Sequence, residues 1–293
     1  MYVKRLLRVT NGRVRLLVGL FIAALLCIQC TQRMEATRAL PAATAISPGQ
    51  LPHDQRLTRI ENLARTDHAA LLEECLKNCQ ANYRDYTCTF YKQERISGKL
   101  GKEQEIQVKH MDEPFSVAMA WTANIPIADR ALYVEGRWNN QMMVRPARWP
   151  LSLAGPQLRY PDDAEAMKNT LRPISKFGFE RSLQSLIEVY KLAADAGDLK
   201  QSLGYADESG KAVEYVQIDG RNAIVLARYL PAKDGYPAAR TLIYVDLEYL
   251  VPVCVEATDW DGKMLSRYLF KSIKFNTGLR EDDFLPEANG MKQ

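Results

Sequence analysis

The stretch from Glu256 to Asn276, EATDWDGKMLSRYLFKSIKFN, sets three carboxylates, Glu256, Asp259 and Asp261, within six residues and follows them with an aromatic and apolar run. Clustered carboxylate oxygens are hard donors that suit Ca²⁺, and paired carboxyls can share acid–base work. The same residues also suit a strand corner. Asp261-Gly262 supplies the backbone freedom that a hairpin demands, and Glu256 alternates outward on its strand. The pattern favours the corner. A second charged run, KQER from Lys92 to Arg95, offers cations that could clamp an anion, although alternating charge on a strand more often marks its solvated face. A third, Glu281, Asp282 and Asp283, reads as a solvated terminal loop.

Other chemistry is thinly represented. Cys75 and Cys79 lie four apart, yet the only histidines are His53, His68 and His110, and no Cys/His pair completes a tetrahedral zinc set. With Cys88 and Cys254 they read as buried thiols or one disulfide, of undetermined pairing. No G-x-S-x-G, H-E-x-x-H, G-x-x-x-x-G-K-[ST] or G-x-G-x-x-G motif occurs. No metal, cofactor or catalytic residue is therefore expected, and the chain is read as a non-enzyme.

The elements that must position any binding site begin after an unusual start. Lys4, Arg5, Arg8, Arg13 and Arg15 precede an uncharged apolar run, LLVGLFIAALLCI from Leu16 to Ile28. That is the layout of a secretory signal, and the run is shorter than the ~20 residues needed to span a bilayer. Residues 1–36 are expected to be a signal peptide or a short membrane anchor, with Cys27 and Cys30 as lipidation candidates lacking the usual small residues before them. Export to the periplasm or cell envelope follows. The formal charge of +4 changes meaning with this segment removed. It carries six Lys or Arg and one Glu, leaving 33 basic and 34 acidic residues in the remainder. A near-neutral chain has no electrostatic footprint for nucleic acid.

Residues 37–56, rich in Ala, Pro, Thr and Ser, read as a flexible linker. A single domain is expected over 57–293. Its first element is an amphipathic helix over 57–83, with Leu63, Leu71, Leu72, Cys75, Leu76 and Cys79 at helical spacing. Alternation then predicts strands: an aromatic and Thr-rich one from Tyr86 to Ile96, one from Glu103 to Lys109, and one after Pro114. In that third strand Phe115, Val117, Met119 and Trp121 share one face, and Ser116, Ala118 and Ala120 share the other. Two more, RALYVEG and NQMMVRP, follow. Helices are expected over 161–170 and 179–196, the second carrying Leu183, Leu186, Ile187, Tyr190 and Leu192. Five further strands are joined by turn signals at Ser209-Gly210, Asp219-Gly220, Asp234-Gly235 and Asp261-Gly262. Ten strands and three helices imply an α+β domain: a large curved antiparallel sheet, a half-open barrel, with helices covering or plugging its concave face.

With that order in view, the stretches DYTCTFYKQERISGKL, EPFSVAMAW, ALYVEGRWNNQMM and YVDLEYLVPVCVEATDWDGKMLSRYLFKSIKFNTGLREDDF resemble a bacterial family known as domain of unknown function 1571 (DUF1571), within the lipoprotein-carrier (LolA/LolB-like) superfamily. The resemblance runs from about Leu71 to Phe284. It implies a curved sheet covered by helices around an apolar cavity that receives acyl chains in relatives. The stretch between Arg145 and Leu203 is longer than in the simplest carriers. Phe90, Phe115, Val117, Met119, Trp121, Tyr133, Leu242, Tyr244, Val253, Tyr268 and Phe270 are the candidates to line the groove, and Met119 and Met142 suit flexible chains. The expected partner is a lipid or an acylated protein, with membrane contact through the N-terminal segment and an oligomeric state left open. An envelope interaction or sensor module with a solidly packed core is the alternative, and a hydrolase with a non-standard site is a weaker one.

Overall fold

The computed structural model of the chain describes residues 43–45 and 55–291. The expected signal segment, with Cys27 and Cys30, and His53 lie outside these residues. Ala43–Ala45 form β1, a short strand inside the stretch read as a linker. Two helices follow where one was expected: α1 (Gln55–Thr66) and α2 (His68–Asn82). Asp67 separates them. Its backbone is extended, and its side chain accepts a hydrogen bond from the Ala70 N–H at 3.0 Å, which caps α2. The apolar spacing runs through both helices and so concealed the cap. An Asp67→Ala chain is expected to lose about 1 kcal/mol of stability, read as a lower urea midpoint at unchanged slope. An unchanged midpoint would mean that the cap contributes nothing.

Seven strands form the first half: β2 (Asp85–Ile96), β3 (Lys99–Leu100), β4 (Gln104–Met111), β5 (Ser116–Ala123), β6 (Ala128–Val134), β7 (Met142–Pro146) and β8 (Gln157–Arg159). The short helix α3 (Ala164–Met167) and the long helix α4 (Phe179–Asp195) interrupt them. The second half comprises β9 (Lys200–Leu203), β10 (Tyr205–Ala206), β11 (Ala212–Val213), β12 (Tyr215–Ile218), β13 (Arg221–Tyr229), β14 (Arg240–Asp246), β15 (Pro252–Thr258) and β16 (Met264–Phe275). Among the described residues sixteen strands replace the expected ten, and several of the additional ones have only two to four residues. Asp219-Gly220 and Ser97-Gly98 both place two successive residues at positive φ. That backbone matches the right-handed twist of adjacent strands.

One antiparallel sheet takes up fourteen of the strands, in the order β1-β12-β13-β14-β15-β16-β2-β4-β5-β6-β7-β8, with β3 on β2 and β9 on β13. Its two ends do not pair with each other among the described residues, so the barrel stays open. The seam between the halves is the β16–β2 ladder, from Ser266 opposite Glu94 to Phe275 opposite Tyr86. Beyond it, Asn276 turns at positive φ and its side chain ties Arg84 N–H to Asn82 C=O. Asp85 accepts hydrogen bonds from Thr277 N–H and Oγ1–H at 2.6 and 2.7 Å. The FNTG stretch is thus a clasp on the seam.

Alternation along β2 sends Tyr86, Cys88 and Phe90 to the helical side. There Phe179, at the start of α4, packs 4.9 Å from the Tyr86 ring and 4.8 Å from that of Phe270. Phe179, Leu183, Leu186, Ile187 and Tyr190 form the buried stripe of α4, so this helix fills part of the concave face as the spacing predicts, whereas Leu192, expected in the stripe, is half-exposed. On the convex side, Ala118, Leu132, Val134 and Met143 are covered by Phe284 and Met291 of the C-terminal segment. The small face of β5 is where that segment lies.

Candidate ligand cavity

Where α4 ends its cover of the sheet, a cavity of about 300 Å³ remains between the concave face and residues 161–177. Five of the residues expected from sequence line it: Phe90 from β2, Met119 and Trp121 from β5, and Tyr268 and Phe270 from β16. They converge because the seam places β16 beside β2, while β4 separates β2 from β5. The Phe90 and Phe270 rings stack at 4.7 Å and those of Phe90 and Tyr268 at 5.9 Å. Met142, Ala131 and Val144 extend the wall, and Trp121 Nε1–H donates to Gln104 Oε1 at 2.7 Å, which fixes its indole.

The other six expected residues do not line the cavity. Phe115 lies under the Arg181 guanidinium at 3.5 Å and edge-on to Tyr133. Val117 is fully buried, and Leu242, Tyr244 and Val253 are buried within the β13–β15 part of the sheet. Tyr244 O–H donates to Glu256 Oε2 at 3.3 Å, and Val255, the neighbour of Glu256, faces the cavity. Tyr244 therefore belongs to the opposite face. Nearly every residue of β14 is buried, so hydrophobicity there carries no information about facing.

The cavity also contains residues that the pattern placed in solvent. Lys92 and Glu94, from the KQER run, continue the face of Phe90, and both line the cavity. Their charges lie 3.2 Å apart, with the Glu94 side chain 3% exposed. Tyr268 O–H donates to Glu94 Oε1 at 2.6 Å, and Lys92 Nζ donates to Thr170 Oγ1 at 3.2 Å. Burial, reinforced by the Glu94 charge, raises the Tyr268 pKa well above the usual phenol range, so the hydroxyl stays protonated as a donor. This group closes on itself: the carboxylate has a cation and a hydroxyl, and no histidine or cysteine among the described residues lines the cavity. Arg159, Arg172 and Lys176 also line it, against one further acid, Glu165. The period of β2 was the signal that would have found Lys92 and Glu94. The helix expected over 161–170 shortens to the four residues of α3, so its pattern misplaced this wall, and 171–177 offered no periodic signal.

The remaining candidates resolve into structure. Asp259 N–H and Lys263 C=O, with Gly262 N–H and Asp259 C=O, close the corner, and Asp259 Oδ1 accepts from Asp261 and Lys263 N–H. Glu256 faces Arg267 at 3.2 Å. The four described cysteines are free and buried. Burial pushes the thiols of Cys75 and Cys79 up to about 12, which keeps them protonated and unreactive. Among the described residues no group of three His, Cys, Asp or Glu side chains could hold a metal ion. No described helix is long and apolar enough to cross a membrane.

Comparison with known proteins places this geometry in context. The family described as "Protein of unknown function (DUF1571)" matches residues 83–291. No curated protein matches the sequence. Among solved structures, the chain is similar to a DUF1329 family protein from Desulfovibrio piger, at 11% identity and a TM-score of 0.36 over 76% of this chain and 98% of that one. It is similar to a LolA superfamily protein from Nitrosomonas europaea, at 11% identity and a TM-score of 0.30 over 74% and 98%. A third is the lipoprotein LppX from Mycobacterium tuberculosis, at 13% identity and a TM-score of 0.37 over 73% and 99%.

Proposed function

The chain belongs to the DUF1571 family, and from that premise we propose that it binds the acyl chain of a lipid or of an acylated protein, non-covalently, as an exported carrier of the cell envelope. The observation that carries this reading is the cavity: about 300 Å³, walled by Phe90, Met119, Trp121, Met142 and Phe270, with its buried charge already paired. Ligand cavities of this kind start at about 300 Å³ and are mostly apolar with a few placed polar groups. Flexible methionines adapt to a chain that has many conformers. Each methylene moved from water into such a wall contributes roughly 0.8 kcal/mol, so a medium-length chain reaches useful affinity without a charged contact. Lys92 is committed to Glu94 and Thr170, so the polar end of the ligand stays at the rim, near Arg159, Arg172 and Lys176.

The test is titration of the full chain with a fluorescent fatty acid, together with mass spectrometry of lipids that purify with it. Saturable binding that unlabelled fatty acid displaces is expected. An absence of both displaceable binding and co-purifying lipid would overturn the reading.

A further inference from the structure

Large apolar side chains at the surface of this protein are not scattered. Among the described residues seven of the ten exposed ones fall between residues 125 and 171: Ile125, Ile127, Trp149, Leu153, Leu158, Tyr160 and Leu171. Trp149 and Leu153 are the most exposed, at 79% and 78%. Isolated exposed apolar residues are ordinary, whereas a gathered set marks an interaction site. These two sit on the connection between β7 and β8, three and seven residues beyond Pro146, which lines the cavity. Ala147 N–H donates to Ile127 C=O at 2.7 Å, and Ile127 lines the cavity as well. The exposed tip is therefore continuous with the cavity rim.

Along the connection itself the charge has one sign, and exposed Asp162 and Glu165 follow beyond it. From Arg145 to Tyr160 there are three arginines and no Asp or Glu. Arg145 is held by Asp129 at 2.6 Å and Lys168 by Glu165 at 2.5 Å. That leaves exposed Arg148, Arg159 and Lys176 without an ion pair among the described residues. An indole and a leucine side chain projecting between unpaired cations fit the interface of an anionic bilayer. The indole suits the headgroup level, the aliphatic group reaches the acyl boundary, and the cations meet lipid phosphates.

We propose that the β7–β8 connection, with Trp149 and Leu153 at its tip and Arg148 and Arg159 beside it, docks on an anionic membrane surface and sets the cavity mouth against the lipids. The inference rests on the reading of the cavity as an acyl site, and it is separate from any anchoring by the N-terminal segment. A docked mouth would let a chain pass from bilayer to cavity without crossing water.

The test uses the full chain and vesicles of phosphatidylcholine with phosphatidylglycerol, some of it brominated in the acyl chain. The difference between wild-type and Trp149→Phe fluorescence isolates Trp149 from the other three tryptophans. Quenching of that difference signal is expected, and so is its weakening by salt and by omission of phosphatidylglycerol. Arg148→Gln lowers vesicle affinity about fivefold, the worth of one cation near an anionic leaflet. A Trp149→Ser, Leu153→Ser chain takes up a fluorescent fatty acid from vesicles at least about tenfold more slowly, while its affinity for the monomeric acid in solution is unchanged. An unquenched Trp149 overturns docking, including the case in which the same patch proves to be buried between two copies of the chain. Equal quenching on neutral vesicles overturns the anionic assignment. Fatty-acid binding in solution reports on the cavity alone, so its loss would count against the acyl reading and not against docking.

Discussion

In an Ala131→Trp chain, affinity for an acyl probe falls by about 30-fold or more, while the thermal midpoint stays near that of the wild type. Ala131 is 6% exposed, lines the cavity, and sits opposite Met119 in the β5–β6 ladder. An indole there occupies the space that a chain would fill. Excluding two or three methylenes at roughly 0.8 kcal/mol each removes about 2 kcal/mol, a factor of about 30. Met119 is unbranched and can shift to admit the ring. Should overpacking lower the midpoint instead, Ala166→Trp approaches the same space from α3, which is half-exposed and tolerant of bulk. Titrations of the two variants that match the wild type would mean that the probe binds elsewhere and that this cavity is a packing defect.

Stability falls as the pH drops from 7 to 4, through histidines that are buried neutral. Among the described residues His110 has no hydrogen-bond partner on either ring nitrogen, and Asp112 Oδ1 stands 3.6 Å from its Nδ1. It stacks on Tyr86 at 4.6 Å, and burial, with the Arg181 charge as a second cause, lowers its pKa to about 3. His68 bridges Ala64 C=O and Tyr190 O–H, and burial lowers it to about 4. Both depart downward from the unfolded value of about 6.5, so the unfolded chain takes up two protons below that pH that the folded chain refuses. Asp112 works the other way. Burial, then the Glu180 charge, raises it to about 6, so the folded chain gains a proton that the unfolded one takes only near 4. From about pH 6 to 4 these three groups balance at one proton in favour of unfolding, a loss of about 1.4 kcal/mol per pH unit, and Glu256, raised by burial, reduces it. Urea midpoints at several pH values measure it. His110→Leu should flatten the profile and Asp112→Asn should steepen it. A wild-type profile level between pH 6.5 and 4 would show that at most one of the two histidines is held neutral.

The legible parts of the molecule were those with one buried face. Met119 and Trp121 alternate with Ala118, Ala120 and Thr122, and the period located their face. The stripe of α4 did the same for the plug. Legibility failed where the physics gives no contrast. β14 is buried on both sides, so Leu242 and Tyr244 looked identical to cavity residues. Lys92 and Glu94 looked solvated because charge usually is, and partners far off in the sequence, Tyr268 on the adjoining strand β16 and Thr170, make their burial tolerable. The wall from 161 to 177 is held by local caps and turns, such as Asp163 capping α3, so a pattern that read as a helix over 161–170 yields only four helical residues.

The seam between β2 and β16 has a consequence for how the protein comes into being. Glu94 and Tyr268 are 174 positions apart in the chain, yet one hydrogen bond joins them at the cavity floor. A nascent chain that has emerged only as far as α4 possesses Phe90, Met119 and Trp121 but lacks the strand that completes their wall. Contacts of such high contact order form late, because the intervening loop must close first. Binding capacity therefore arrives all at once, with the last strand, and a chain cut short before Met264 has no site to load.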